Sequence, residues 1–179
     1  MEVPEQRLPA ETFEELALPL LDQLYNFARW LAQDAVEAED LVQETFIKAL
    51  RGFGGFQAGT NFRAWIFRIL RNTFLTSRSG LKAATVAEED FDALPSGDPS
   101  PEASLLKQAD REAVQQALGA LAMPFREILL LCEVEEMSYE EIAQVLAIPM
   151  GTVMSRLYRA RKSLRVLLVE RFKGGAHGV

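Results

Sequence analysis

Cysteine and histidine are almost absent from this chain of 179 residues, which contains one of each, Cys132 and His177. A single cysteine excludes an internal disulfide, and the two residues are too few for a clustered Cys/His zinc site. The same scarcity excludes a Ser-His-Asp or Cys-His nucleophile, apart from one that would use His177 near the end of the chain.

Long apolar runs and a phosphate-binding loop are also missing. The longest apolar stretches, such as residues 128–132, are far shorter than the roughly 20 residues that a membrane-spanning helix needs. The first 15 residues are acidic and lack the apolar segment of a secretory signal, so we expect a cytoplasmic protein without membrane insertion. No GxxxxGKS or GxxxxGKT string occurs, and the glycine-rich segment 51–59 follows a helical pattern instead of a strand. We therefore predict no catalytic residue, no metal and no cofactor.

Acidic residues are missing from residues 51–87, although the whole chain has a net charge of -7. That segment holds six basic residues, and residues 142–179 hold seven beside a single acid, Glu170. Most of these bases are arginines, which suit planar hydrogen bonding to phosphates and base edges. Two anion-binding surfaces on an otherwise acidic protein are the simplest interpretation, with a solvated helix face as the alternative for either segment.

Apolar residues recur at intervals of three and four almost throughout, which predicts an all-α fold. Helices are predicted for residues 12–32, 38–50, 103–121 and 124–134. The second of these carries a polar ridge opposite its apolar face, with Ile47 exposed among Glu37, Asp40, Gln43, Glu44 and Lys48. The pattern alone leaves open whether this ridge is a solvated surface or binds a partner.

A glycine-rich loop, residues 51–61, separates that helix from the next one. Its glycines end the helix, and Thr60 or Asn61 can cap the helix that follows. Phe67 and Phe74 widen the apolar stripe of this next helix, so it packs on two neighbours or presents aromatic rings to a ligand. Its other side carries Arg68, Arg71 and Asn72.

The composition of residues 79–103 is small, acidic and proline-rich. This predicts a flexible acidic linker between two small helical domains. The first domain is predicted at residues 1–78 and the second at residues 104–172, with a flexible tail at residues 173–179.

The second domain ends in a helix-turn-helix pattern. Ser138 and Glu141 form a capping box for a helix that ends near Leu146, and Thr152 opens a long helix after the turn AIPMG. The polar side of the long helix carries Ser155, Tyr158, Arg159 and Lys162, flanked by Arg156 and Arg165. In this geometry the second helix enters the DNA major groove, although helical hairpins without DNA affinity have the same shape.

Three strings in this order resemble the sigma-70 family of bacterial transcription initiation factors, in its small extracytoplasmic-function (ECF) group. They are DAVEAEDLVQETFIKAL (34–50), FRAWIFRILRNTF (62–74) and YEEIAQVLAIPMGTVMSRLYRARKSLR (139–165). With their flanking helices they cover nearly all of residues 12–170. The resemblance implies sigma domain 2 in the first half and sigma domain 4 in the second. It also implies a factor that binds core RNA polymerase and directs promoter-specific initiation without catalysis of its own.

The resemblance also implies three contact surfaces. The helix at 38–50 would dock on the clamp helices of the largest β-type polymerase subunit through Asp40, Leu41, Gln43, Glu44 and Ile47. The melted minus-ten strand would be held by Phe53, Phe56, Asn61, Arg63, Arg68, Arg71 and Asn72. The minus-thirty-five element would be contacted by Thr152, Ser155, Arg156, Tyr158, Arg159 and Lys162. Met154 and Thr76 depart from the arginine and aspartate that many members carry there.

The family also implies the polymerase flap as a contact, a chain that is monomeric when free, and an anti-sigma protein that wraps both domains in a stress response. Two other functions stay open. An autonomous helix-turn-helix regulator with an N-terminal sensing domain would dimerise and bind a palindrome by itself. An interaction-only adaptor would use the acidic ridge and no DNA.

Overall fold

The computed structural model describes residues 11–79 and 111–175, called here the first and the second half. Most of the predicted linker, residues 80–103, lies outside the described residues. The same holds for residues 1–10, 104–110 and 176–179, which belong to the predicted domains and tail. Within the two halves the regular elements are helices and no strand occurs, which confirms the predicted all-α fold.

The first half contains helices α1 (Phe13–Ala17), α2 (Leu21–Ala32), α3 (Ala35–Gly52) and α4 (Phe62–Ser79), with short 3-10 turns at Leu18–Leu20 and Phe53–Gly55. The second half contains α5 (Arg111–Ala120), α6 (Met123–Leu129), α7 (Tyr139–Leu146) and α8 (Met150–Gly175). Helix α6 continues directly into a π-helical turn at Leu130–Val134.

The single helix predicted at residues 12–32 is divided into α1 and α2. Pro19 lies in the 3-10 turn between them, where its missing N–H group and ring disfavour a continuous α-helix. Helix α3 begins at Ala35, earlier than the predicted residue 38, because the Asp34 carboxylate caps it by accepting from the Glu37 N–H at 2.8 Å.

Asn61 is the cap of α4. Its side-chain Oδ1 accepts a hydrogen bond from the Ala64 N–H at 3.0 Å, whereas the Thr60 hydroxyl donates backwards to the Gln57 carbonyl. Gly59 has a φ of +85°, a conformation that L side chains rarely adopt, so this turn needs glycine. Helix α4 ends at Ser79, which the sequence had placed in the linker.

The helix-turn-helix is present as α7 and α8. Its predicted capping box is confirmed, since the Ser138 N–H donates to Glu141 and the Glu141 N–H donates to the Ser138 hydroxyl. Helix α8 begins at Met150 instead of Thr152, because the Thr152 N–H already donates to the Pro149 carbonyl. It extends to Gly175, so the predicted tail at residues 173–179 begins inside the helix.

The buried apolar side chains form one cluster that runs through both halves. In the first half α2, α3 and α4 pack together around Leu24, Phe27 and Ile66. In the second half α5, α6, α7 and α8 enclose Ile128 and Leu157. Helix α4 packs against α2 and α3 of its own half and against α7 of the second half, so it has one neighbour more than the two that were predicted. The two halves are therefore in direct contact.

The capping box of α7 gives a test of this fold. Replacing Ser138 by alanine removes one acceptor for the orphan N–H groups of the helix, and we expect a loss of about 1 kcal/mol in the free energy of unfolding. Urea denaturation followed by circular dichroism measures this loss. Gln144→Ala, at an exposed position on the same helix, is the control and should change stability by less than about 0.5 kcal/mol. Equal effects of the two substitutions would contradict the assigned cap.

Candidate functional site

An exposed ridge runs along α3. Asp40, Gln43 and Glu44 are exposed, and Ile47 is 50 % exposed among them. The ridge therefore offers polar and acidic side chains around an apolar one. This composition fits the polar rim and apolar centre of a docking surface, and it also fits a solvated helix face. The predicted ridge member Leu41 is buried, and its contact with a partner stays a prediction. It is only 5 % exposed and lies in the core, because one residue along a helix turns a side chain by about 100° away from Asp40.

Phe53 and Phe56 are part of an aromatic cluster at the glycine-rich loop. Their rings stack on each other at a centroid distance of 6.0 Å and pack edge-on against Phe62. Phe13 and Trp65 complete the cluster from either side. The rings of Phe53 and Phe56 are half-buried, so each still exposes part of its surface to solvent. Their role as walls of a base pocket stays a prediction.

The polar residues predicted on α4 separate into two groups. Arg68 and Asn72 are exposed. Asn61, Arg63 and Arg71 are half-buried and face the second half.

A partly buried ion pair joins Arg71 to Glu127 of α6. The Arg71 guanidinium donates from Nε and Nη2 to the two carboxylate oxygens at 2.7 and 3.0 Å. The Glu127 side chain is 0 % exposed. Its burial raises the pKa of the Glu127 carboxyl, while the Arg71 hydrogen bonds and charge act in the opposite direction.

A second contact lies at the π-helical end of α6. Arg63 Nη2 donates to the Glu135 carbonyl at 2.6 Å and reaches the Glu135 carboxylate at 3.3 Å, while Arg63 Nε donates to Gln23 at 3.2 Å. Burial raises the pKa of the Glu135 carboxyl, opposed by the charge of Arg63. A polar cavity of about 450 Å³ opens beside this contact, and its lining includes Arg63, Glu135 and Glu136.

A third contact joins the two helix caps. Asn61 Nδ2 donates to Glu141 Oε1 at 2.8 Å, while the other oxygen of Glu141 accepts from the Ser138 N–H. Partial burial tends to raise the pKa of Glu141, but the hydrogen bonds from Asn61 and Ser138 outweigh it and hold the pKa below its ordinary value.

The polar face of α8 is only partly turned to solvent. Tyr158 and Lys162 are exposed, as is Met154 between the predicted contacts. The other predicted members of this face are half-buried, namely Thr152, Ser155, Arg156 and Arg159. Burial lowers the pKa of Arg156, which also lies within electrostatic range of Glu127 and Arg71.

The acidic partners Glu127 and Glu135 were not anticipated from the sequence. Glu127 lies next to Arg126, directly before the apolar run of residues 128–132, so the local pattern does not mark it as a core position. Arg161, counted above among the basic residues, binds Glu133 at 2.7 Å beside the half-buried Cys132. Arg161 therefore ties α8 to the π-helical turn.

Neither of two other kinds of site is found in the described residues. No helix there is long and apolar enough to cross a membrane. No group of three or more histidine, cysteine, aspartate or glutamate side chains in residues 11–79 and 111–175 is arranged to hold a metal ion.

Two family models match the chain in succession. Residues 16–82 match sigma-70 region 2, and residues 111–164 match sigma-70 region 4.

Individual relatives match most of the chain. It is 38 % identical to the ECF RNA polymerase sigma factor SigE of Mycolicibacterium smegmatis, over 89 % of this chain and 62 % of that protein. It is 35 % identical to the RNA polymerase sigma-H factor of Pseudomonas aeruginosa, over 89 % and 87 % of the two chains. It is 36 % identical to the ECF RNA polymerase sigma factor EcfG of Rhodopseudomonas palustris, over 84 % and 82 %.

Two solved structures have a similar fold. The sigma factor RpoE of Bartonella quintana, in complex with the anti-sigma factor NepR, is 33 % identical, with a TM-score of 0.67 over 88 % of this chain and 96 % of that one. CnrH in complex with the cytosolic domain of CnrY is 26 % identical, with a TM-score of 0.64 over 88 % of each chain.

The burial of Glu127 predicts a pH dependence of stability. Its pKa in the folded chain lies above that in the unfolded chain, so its stabilising contribution is present at low pH and is lost as the pH rises through the folded pKa. We expect the free energy of unfolding of the wild type, minus that of Glu127→Gln, to grow as the pH falls from about 7 to about 4.5. Urea denaturation at stepped pH measures this difference.

The exposed Glu140→Gln variant is the control for the pH series, and its difference from the wild type should stay nearly flat. A wild-type advantage over Glu127→Gln that shrinks on acidification would show that the Arg71 pair, and not burial, governs the Glu127 carboxyl.

Proposed function

The chain belongs to the ECF group of the sigma-70 family of RNA polymerase sigma factors, and on that basis we propose that it binds core RNA polymerase as a dissociable subunit and directs promoter-specific initiation. It carries out no catalysis of its own. One observation carries the proposal, the succession of a region 2 match and a region 4 match on the same chain. The region 2 match argues against an autonomous regulator, which would need a sensing domain at that place.

The domain assignment follows the same matches. We assign sigma domain 2 to residues 1–78 and sigma domain 4 to residues 104–172, with residues 79–103 as the connection. The matches at 16–82 and 111–164 support these assignments.

The exposed ridge on α3 is the proposed polymerase-docking surface. Asp40, Gln43 and Glu44 supply acceptors, and the half-exposed Ile47 supplies an apolar anchor. We assign this ridge to the clamp helices of the largest β-type subunit, and we assign a contact of the second half to the flap. Leu41, buried beneath the ridge, is assigned to the same docking surface, which it supports from within the core.

The proposed minus-ten surface combines aromatic rings with basic side chains. Phe53 and Phe56 present ring surface on which an unstacked base can pack, since base–aromatic stacking contributes about 1–3 kcal/mol per base. Arg68 and Asn72 are exposed, and we assign them to contacts with the DNA backbone. Asn61, Arg63 and Arg71 belong to the same surface and are engaged by the second half in this structure.

The proposed minus-thirty-five surface is the N-terminal part of α8. Ser155, Arg156, Tyr158 and Arg159 are assigned to base edges, because arginine and hydroxyl side chains match the hydrogen-bond pattern of the major groove. Thr152 and Lys162 are assigned to phosphates. The exposed Met154 offers an apolar contact where an arginine would read guanine, so we expect a different base preference at that position.

We further infer an anti-sigma partner and a role in a stress response. The similar sigma factor RpoE is held by the anti-sigma factor NepR, which supports the inference. A polymerase subunit functions where the polymerase is, so we assign the protein to the bacterial cytoplasm. We also propose that the chain is a monomer when it is free.

The proposal is tested by gel filtration of the purified chain with bacterial core RNA polymerase, followed by transcription from a random-promoter pool with the isolated complex. Co-elution and sequence-selective initiation support it and define the promoter. Absence of binding to core polymerase, combined with a shift of duplex DNA by the chain alone, would transfer the function to an autonomous regulator.

The first substitution tests the docking ridge. Asp40→Arg places a positive charge where an acidic side chain is expected to meet the polymerase, so we expect at least about 10-fold weaker binding to core polymerase with unchanged folding. Fluorescence titration of labelled protein with core polymerase measures the affinity. Asp22→Arg makes the same charge change at an exposed position on α2, and should bind nearly as the wild type. Equal loss in both variants would reduce the ridge to a solvated face.

The second substitution tests the α8 surface. Arg159→Ala should weaken use of the cognate promoter by an amount equivalent to about 1–3 kcal/mol while leaving core polymerase binding unchanged. Abortive transcription from the selected promoter measures the effect. Lys173→Ala, which lies 14 residues further along α8, is the control for loss of one positive charge. Parallel loss of promoter use and polymerase binding would remove α8 from DNA recognition.

A further inference from the structure

An apolar row lies on the first turns of α8. Met150 is 38 % exposed, Met154 is 49 % exposed and Tyr158 is 50 % exposed. The three residues follow one another at intervals of four, so neighbouring members lie about one turn apart along the helix. The row begins at the first residue of α8, in the part of a helix-turn-helix that contacts base edges in the major groove.

This apolar row is separate from the core of the second half. The core side of α8 is formed by Val153, Leu157 and Ala160, which are all buried. Met154 directly follows Val153 and Tyr158 directly follows Leu157, and one residue along a helix turns a side chain by about 100°. Two large apolar side chains therefore remain exposed within the proposed minus-thirty-five surface.

The charges around the apolar row have one sign only. Residues 142–169 contain no acidic residue, and the basic residues that this range places on α8 are Arg156, Arg159, Arg161, Lys162 and Arg165. An apolar row with a purely basic border is complementary to a polyanion that also carries apolar groups. Duplex DNA is such a partner, because phosphates border the major groove and the C5-methyl groups of thymine lie inside it.

The chemistry of Met154 distinguishes between the bases. Thymine alone among the four bases presents a methyl group in the major groove, whereas guanine presents the acceptors N7 and O6. A thioether side chain has no hydrogen-bond donor, so covering the guanine acceptors would leave them without a partner, which costs free energy. The same side chain is unbranched and adapts its shape to an apolar group such as the thymine methyl.

We propose that α8 recognises thymine in the minus-thirty-five element by its methyl group, and that Met154 determines this specificity. The backbone of Tyr158 lies about 6 Å further along the helix axis, the length of about two base steps, so its ring extends the apolar contact to a neighbouring base pair. This inference rests on the proposed function, because it takes the DNA-binding role of α8 from it.

The first part of the test is the promoter that the complex with core polymerase selects. The full-length chain and core polymerase transcribe a template pool with a randomised minus-thirty-five element, and the transcribed templates are sequenced. We expect at least one position in this element to be fixed as an A·T pair. Met154→Arg supplies a guanidinium at the same place and should change one such position from A·T to G·C. A wild-type element without any fixed A·T pair would overturn the proposal.

The second part removes the methyl group alone. Deoxyuridine pairs as thymidine does but lacks the C5-methyl group, and it replaces each fixed thymine in turn. Burial of one methyl group corresponds to about a 4-fold change in affinity, so we expect the wild type to prefer thymine over uracil about 4-fold at the position that Met154 covers. Competition between the two templates in one transcription reaction measures this ratio. Uracil in the spacer between the two promoter elements is the control template and should give a ratio near one.

Substitutions at Met154 connect the thymine preference to one side chain. Met154→Ala should bring the ratio close to one, whereas Met154→Leu keeps an apolar side chain of similar size and should retain most of the preference. Val166→Ala is the matched control, because Val166 is also 50 % exposed on α8 but lies 12 residues beyond Met154. Each ratio compares two templates with the same protein, so a change in folding or in polymerase binding cancels from it.

Three results would contradict the assignment to Met154. A wild-type ratio near one at every fixed thymine would overturn it. A ratio that Met154→Ala leaves unchanged would overturn it too, because another side chain would then recognise the methyl group. Loss of core polymerase binding in Met154→Ala, with an unchanged thymine preference, would make the apolar row a protein-docking surface instead.

The same reactions separate failure of this inference from failure of the proposed function. Promoter-selective initiation that is insensitive to the methyl group means that thymine recognition fails while the proposed function stands. Absence of initiation by the wild type from every template in the pool means that the proposed function fails, and the inference with it.

Discussion

The buried contact between Arg71 and Glu127 is the interaction on which the arrangement of the two halves depends. A carboxylate with no solvent exposure needs a cation beside it, and here the cation comes from the other half of the chain. Helix α4 packs on α7, and nearer the start of α4 Arg63 and Asn61 find acceptors in the second half. These contacts together leave Arg63 and Arg71 half-buried, while Arg68 and Asn72 stay exposed.

This dependence explains how an acidic protein can carry DNA-binding surfaces. The net charge of -7 would repel nucleic acid if it were evenly spread, but the basic residues are grouped on α4 and α8. Acidic side chains of the second half neutralise part of the α4 group within the molecule. The acidic ridge of α3 remains exposed, and it is the surface that we propose for a protein partner.

The sequence predicted most of the local structure because local signals are strong here. Helical periodicity, the Ser138–Glu141 capping box and the glycine-rich loop all have direct counterparts in the structure. The division at Pro19 was missed although a proline inside a helical pattern is a local signal for a break. The π-helical turn at Leu130–Val134 was missed because no residue pattern marks it. The three contacts between the halves were missed for a different reason. Pairs such as Arg71 and Glu127, 56 residues apart, leave no periodic signal in the sequence.

The hydrogen bond between Asn61 and Glu141 links two side chains that each have a second task. Asn61 caps α4 with its oxygen and contacts Glu141 with its nitrogen, while Glu141 caps α7 with one oxygen and receives Asn61 on the other. Breaking the bond between them leaves both caps in place. The amide nitrogen of Asn61 is consequently a preorganised donor, because its side chain is already fixed by the cap of its own helix. A new acceptor could bind this N–H group without the entropy cost of ordering a free side chain.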